Sequence, residues 1–221
     1  MTQQQNKADF NTDKGVQERL LDAAEELFCE HGFKGTSIRD IASSAGCNIA
    51  SVNYHFGGKN NLYIEVWRRH LIPMRDARVE SIEKVMSQNQ GQIELEDLLK
   101  SFADTFVGSM IDPDKSSRLS CLMAREYIER HLPANMFVDE VMTPTINSMR
   151  RALMKTCPSL DDSKVLMVIF SLVGQLVHLV HVRTMLEQGG GSLDLPVLDM
   201  SETVEHIVKF SVAGIRSYSK G

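Results

Sequence analysis

The stretch Gly46 to Tyr63, GCNIASVNYHFGGKNNLY, gathers side chains suited to holding a polymeric anion. Asn53 carries an amide that offers a donor and an acceptor together, as a base edge requires. Tyr54 and His55 can bond phosphate oxygens, and Ala50 and Ser51 are small enough to let a backbone approach. Gly57-Gly58 then breaks the chain before Lys59, where an ammonium at the start of a further helix suits a phosphate. Catalysis finds no comparable cluster. The chain has no phosphate loop, no G-x-S-x-G and no H-E-x-x-H, and its scattered Ser, His and Asp residues form no readable triad.

The elements that must position these groups read at helical period. VQERLLDAAEELFCEHGF puts Val16, Leu20, Ala23, Ala24, Leu27 and Phe28 on one stripe and predicts a helix stopping at Gly32. GTSIRDIASSAG predicts a short second helix, with Thr36 or Ser37 as cap, Ile38, Ile41 and Ala42 buried, and Gly46 as the stop. After the Gly46-Cys47 turn, Asn48 caps a third helix over Ile49 to Phe56, with Val52 and Phe56 turned inward. Two short helices joined by a glycine-containing turn form a helix-turn-helix, whose second helix enters the major groove of duplex DNA. Ala50, Ser51, Asn53, Tyr54 and His55 then face outward, with Asn48 at the amino end of the reading helix.

At these residues the chain resembles the TetR family of one-component transcriptional regulators. The resemblance spans roughly Gly15 to Arg75, where LLDAAEELFCEHGFKGTSIRDIASSAGCNIASVNYHFGGKNNLY follows the family's G-F-x-x-T-S, I-A-x-x-A-G, Y-x-F and K-x-x-L in order. It implies phosphate contacts at Thr36 and Tyr54, a backbone-proximal contact at Arg39, groove-facing Ala50, Ser51 and His55, and a phosphate clamp at Lys59. Three positions depart from the pattern: Cys47 for the usual Val, Asn53 for an aromatic, and Gly58 for Ser. Asn53 removes one tyrosyl phosphate contact and puts base reading in its place. A second resemblance, over Arg118 to Leu153 with its Arg125-Glu126 pair, is to a CecR-like subgroup of that family.

Whole-chain charge hides a local field. The net charge is −5, yet residues 31 to 75 carry six Lys and Arg against two acids, 6 − 2 = +4. Cys29, Cys47, Cys121 and Cys157 form no C-x-x-C pair, which predicts reduced structural thiols rather than a disulfide frame or zinc site. No cofactor or metal is predicted; His178 and His181 are read as hydrogen-bonded helix or interface residues. No apolar run is read as approaching the ~20 residues of a membrane span, and the polar amino terminus has no signal-peptide core. A cytoplasmic location with no membrane partner is the expectation.

Beyond the third helix the chain stays helical. A long amphipathic helix kinked at Pro73 is predicted to link two domains, residues 15–62 for DNA binding and 63–221 for ligand sensing and dimerisation. Breaks at DPDKSS, Pro133, CPSLDDS and the Gly-rich loop QGGGSLDLPVLD, expected to be mobile, bring the count to nine helices in an all-α chain. Val165 to Val182 is nearly continuous apolar sequence, so burial on most sides is expected, part of it against a second copy. The family resemblance assigns Ser163–Leu186 and Ser201–Ser217 to a homodimer bundle. Methionines between residues 110 and 154 suggest an adaptable pocket, with Met110, Met123, Arg125, Tyr127, Phe137, Met142, Gln175 and His178 as candidate lining. The expected function is a repressor that binds a palindromic operator as a homodimer and is released by a small hydrophobic or amphipathic effector. A helical interaction protein without DNA binding, or a small-molecule-binding enzyme, are the alternatives.

Overall fold

The computed structural model describes residues 3–88, 93–111, 113–189 and 199–218, which hold nine α-helices and no strand. These are α1 (Gln3–Gly35), α2 (Ile38–Ser44), α3 (Ile49–Phe56), α4 (Lys59–Ser87), α5 (Leu95–Ile111), α6 (Pro113–Glu129), α7 (Thr143–Thr156), α8 (Asp162–Gly189) and α9 (Met200–Tyr218), with a π-helical turn over Val138–Met142. The all-α class is as the periodicity predicts. Of the predicted Gly-rich loop, residues 190–198 lie outside the described residues, and its first two, Gln188 and Gly189, close α8. Two compact units result: residues 1–71 with 113–134, and residues 72–112 with 135–221.

In the first unit the stripe of α1 is buried as expected, with Leu20, Ala23, Ala24 and Phe28 at most 6% exposed. Ile41 and Ala42 of α2, Val52 of α3, and Leu62, Val66 and Trp67 of α4 are buried in the same unit, and Phe28 of α1 meets the Tyr63 ring of α4 edge-on at 5.0 Å. The unexpected member is α6, drawn from the middle of the chain. Arg125 donates to the carbonyls of Cys29 and Glu30 near the end of α1, and Tyr63 Oη donates to Glu126 at 2.8 Å. Gly32 shows why α1 bends there: its φ of 72° is a left-handed conformation, and a Cβ would collide with the Glu129 carboxylate of α6. Helical geometry nevertheless resumes as far as Gly35. Likewise α4 is helical through Pro73.

The second unit is built on one apolar core drawn from α4, α5, α7, α8 and α9, with Leu98, Leu99, Phe102, Leu153, Leu172 and Leu176 at most 1% exposed. Sequence reasoning misjudged the apolar length of α8. Asp162–Leu186 is, by length and composition, long and apolar enough to cross a membrane, because interrupting residues such as Ser171, Gly174 and Gln175 carry no charge. Within the chain it is also buried on one side only. Val165, Ile169, Leu172 and Leu176 face the core, whereas Met167, Phe170 and Val177 are 62%, 53% and 44% exposed.

Candidate nucleic-acid interface

The helix-turn-helix is fixed by local bonds that its sequence specifies. Ser37 and Asp40 cap α2 reciprocally: the Ser37 hydroxyl accepts from the Asp40 N–H, and the Ser37 N–H donates to the Asp40 carboxylate. That contact with Ser37 holds the Asp40 carboxyl below its ordinary range. Gly46 then takes φ 61°, and the Cys47 N–H returns to Ala42 O at 2.8 Å. Asn48 caps α3 by accepting from the Ala50 N–H at 2.9 Å, and Gly57 ends it in the left-handed conformation with its N–H on Asn53 O. Both ends of an eight-residue helix are therefore pinned, and fully buried Val52 fixes its rotation.

That rotation leaves Asn48, Ile49, Ala50, Asn53 and Tyr54 exposed, Tyr54 at 79%. Ser51 is only half-exposed. His55 turns aside: its Nδ1 lies 3.4 Å from Gln17 Nε2, and it lines an open groove with Gln17, Leu21, Phe56, Asn61 and Arg68.

Two residues expected at phosphates have their polar groups engaged elsewhere. Thr36 is 2% exposed, and its hydroxyl is directed at the carbonyls of Leu27 and Gly32, so it closes the turn after α1. Lys59 Nζ donates to Phe33 O and Thr36 O, both at 2.9 Å, and lies 4.2 Å from the Phe33 ring centre. A cation there answers unpaired carbonyls at the end of α1, so it ties α4 to α1. Of the other cations from residue 31 to 75, Arg68 pairs with Glu65, Arg69 with Glu18, Asp22 and Glu25, and Arg75 with Asp76. Lys34 and Arg39 are exposed and have no ion-pair partner among the described residues. The local surplus is therefore smaller at the surface than in the sequence.

A buried acid steadies this unit. Glu25, 2% exposed, meets His70 at 3.0 Å, with Arg69 at 3.6 Å and Arg118 at 3.8 Å. Burial pushes its carboxyl up, but the His70 bond and the surrounding positive charge outweigh this and hold it below its ordinary value. Nearby, burial and the adjacent Cys121 thiol push the Cys29 thiol up to about 12, so it stays protonated at neutral pH.

The proposed pocket residues do not share one place. Met123, Arg125 and Tyr127 stand on α6 in the first unit, Arg125 bonded to the α1 backbone and Tyr127 82% exposed. Met110, Phe137, Met142, Gln175 and His178 belong to the second unit. There, Met110 packs on the core and Gln175 donates to Ser171 O, while His178 is exposed. Among the described residues no three His, Cys, Asp or Glu side chains converge as a metal site.

Two family patterns match the chain, one near its amino end and one over its later helices. The pattern for bacterial regulatory proteins of the tetR family matches residues 20–66, and that for the C-terminal domain of the HTH-type transcriptional dual regulator CecR matches residues 95–215. The chain belongs to the TetR family. CecR from Shigella flexneri is 25% identical over 173 residues, which cover 75% of this chain and 77% of CecR. Among solved structures, a transcriptional regulator from Pseudomonas aeruginosa PAO1 superposes with a TM-score of 0.66 at 20% identity, covering 91% of this chain and 90% of that one. NalD from Pseudomonas aeruginosa, the secondary repressor of the MexAB-OprM multidrug efflux pump, gives 0.62 at 22% identity, covering 92% and 97%. These structures establish the TetR fold. TetR-family proteins are DNA-binding transcriptional regulators and not enzymes, and dimers with small-molecule ligands are typical of them.

Proposed function

We propose that the chain is a homodimeric repressor that reads a two-fold symmetric operator through α3 and is released by a small effector bound in its second unit. The observation that carries this reading is the surface of α3. A helix capped at both ends and anchored by Val52 presents small Ala50, amide-bearing Asn53 and exposed Tyr54 to one side. Asn53 reads a base edge, Tyr54 bonds a phosphate, and Arg39 with the free amides at the start of α4 holds the backbone.

A palindrome needs two such helices about 34 Å apart, hence two chains. Support for the dimer comes from α8 and α9, where Met167, Phe170, Val177 and Phe210 leave an apolar face exposed on the single chain. At Gly174 and Gly214 an added Cβ would meet nothing within 4 Å, so neither glycine is explained by packing inside the chain. A second copy meeting this face explains both. Release follows if the effector binds better to the state with wrongly spaced heads, and it can weaken DNA binding only by that differential affinity.

The test is capture of genomic fragments by purified protein at fixed salt, beside an Arg39→Ala, Tyr54→Ala double variant. The expected result is one enriched palindrome, lost in the variant, whose downstream genes rise in expression when the protein is deleted. Enrichment that is absent, or indifferent to the variant, would overturn the reading.

A further inference from the structure

Among the described residues of the second unit, four polar or charged side chains are at most 9% exposed: Arg78, Ser81, Thr145 and Ser148. Three have partners. Ser81 Oγ donates to Arg78 O, Thr145 Oγ1 to Val141 O, and Ser148 Oγ to Glu83 Oε1 at 2.7 Å. Arg78 is the exception. Its side chain makes no hydrogen bond and no ion pair among the described residues, and of its three guanidinium nitrogens Nε alone is fully covered. On α4, Asp76 is committed to Arg75, and Glu83 to Ser148 and Arg151. What the guanidinium does meet is the face of Phe106 on α5, 3.9 Å from its centre, with Phe102 beside that ring.

Buried cations are ordinarily paired, because desolvation is costly and a ring face offsets only part of it. Arg78 also interrupts an apolar row, since Leu71, Ile82 and Val85 flank it at helical spacing and are each at most 9% exposed. An aliphatic side chain would pack at that position without the cost. Burial pulls the arginine down to about 10, which still leaves it charged at neutral pH. A guanidinium offers five donors in a planar fork that matches a carboxylate or phosphate two bonds at a time.

We propose that Arg78 binds the acidic head of the effector, which is a carboxylate or phosphate carried on an apolar body. The inference rests on the reading of the second unit as the effector-sensing part. The apolar body follows from the surroundings: an anion brought against Phe106 and Phe102 loses its water, and burial of its own hydrocarbon must offset that loss. Selectivity is then for acids over neutral molecules of the same length, because the head neutralises a charge that is otherwise unpaired.

The experiment uses the full chain and calorimetric titration with dodecanoate, dodecyl phosphate and dodecanol. At least one acid is expected to bind 30-fold or more tighter than the alcohol, and comparison of the two acids identifies the head group. Arg78→Met should abolish the preference while binding dodecanol as the parent does. Should that variant not fold, Arg78→Gln takes its place; failure of both to fold would make the arginine structural and overturn the proposal. Equal binding of acids and alcohol by the parent would overturn it as well, as would an acid preference that survives in the variant. Fragment capture by the unliganded protein, run on the same preparation, keeps the regulator reading separately testable.

Discussion

Replacing Lys59 with methionine separates a structural lysine from a phosphate clamp. The ammonium makes two charge-assisted bonds to the carbonyls of Phe33 and Thr36 and lies over the Phe33 ring. For a half-buried group each bond is worth about 1 kcal/mol net, and the ring contact about 0.5 kcal/mol. Methionine keeps the aliphatic stem, so the expected loss is about 2–3 kcal/mol, a fall in Tm of roughly 5–10 °C for a chain of this length. Thermal melts of the full chain measure it. Duplex affinity is then followed over a salt series well below the melting range. The slope of log affinity against log salt should stay that of the parent, because no phosphate contact is removed; a lost contact lowers it by about 0.9 per protomer. An unchanged Tm with a shallower slope would refute the reasoning and return Lys59 to the DNA.

Arg39→Ala should show the opposite signature, with the melt unchanged and the salt slope reduced by about 0.9 per protomer, whereas Asn53→Ala should cost about 1–3 kcal/mol at one base pair and relax discrimination there; fluorescence anisotropy on matched and mismatched duplexes measures both. Phe210→Asp, at a side chain 63% exposed in the single chain, should leave a folded monomer by light scattering, and a persistent dimer would move the interface elsewhere. The Glu25 carboxyl lies below its ordinary 4.5 in the folded chain, so between the folded and unfolded values the unfolded chain binds the extra proton. Its contribution is present above about pH 4.5 and is lost as pH falls through the folded value. In urea titrations Glu25→Gln should be less stable than the parent at pH 7, and the difference should shrink on acidification; a constant difference would show that the carboxylate charge contributes nothing.

What was legible in the sequence was whatever is decided locally. The stripe of α1, the Asn48 cap and the turn at Gly46 each involve residues a few positions apart, so type and spacing suffice. The partners of Lys59 lie 23 and 26 positions away, and the attractions of a cation for a phosphate and for a carbonyl look alike in a sequence. Thr36 is a similar case, since its residue type fits a helix cap and a buried turn equally. The docking of α6 depends on bonds spanning 95 and 96 positions, from Arg125 to Glu30 and Cys29, which no periodicity announces. Arg78 did leave a trace, a cation on the apolar row of α4, but long amphipathic helices usually expose such a residue, so only the fold distinguishes the two cases.

The presence of α6 in the first unit bears on how this protein can be recombined with its relatives. The amino-terminal unit is not contiguous in the gene: residues 113–134 belong to it although the intervening segment 72–112 does not. A chimaera spliced once near residue 72 would join this chain's α1 to a foreign α6, losing the fit of Gly32 against Glu129 and the seat of Arg125 on the Cys29 and Glu30 carbonyls. Exchange of operator specificity should therefore succeed at two scales. One is a handful of α3 side chains, which leaves every such contact in place. The other is a double crossover that carries 113–134 along with the head.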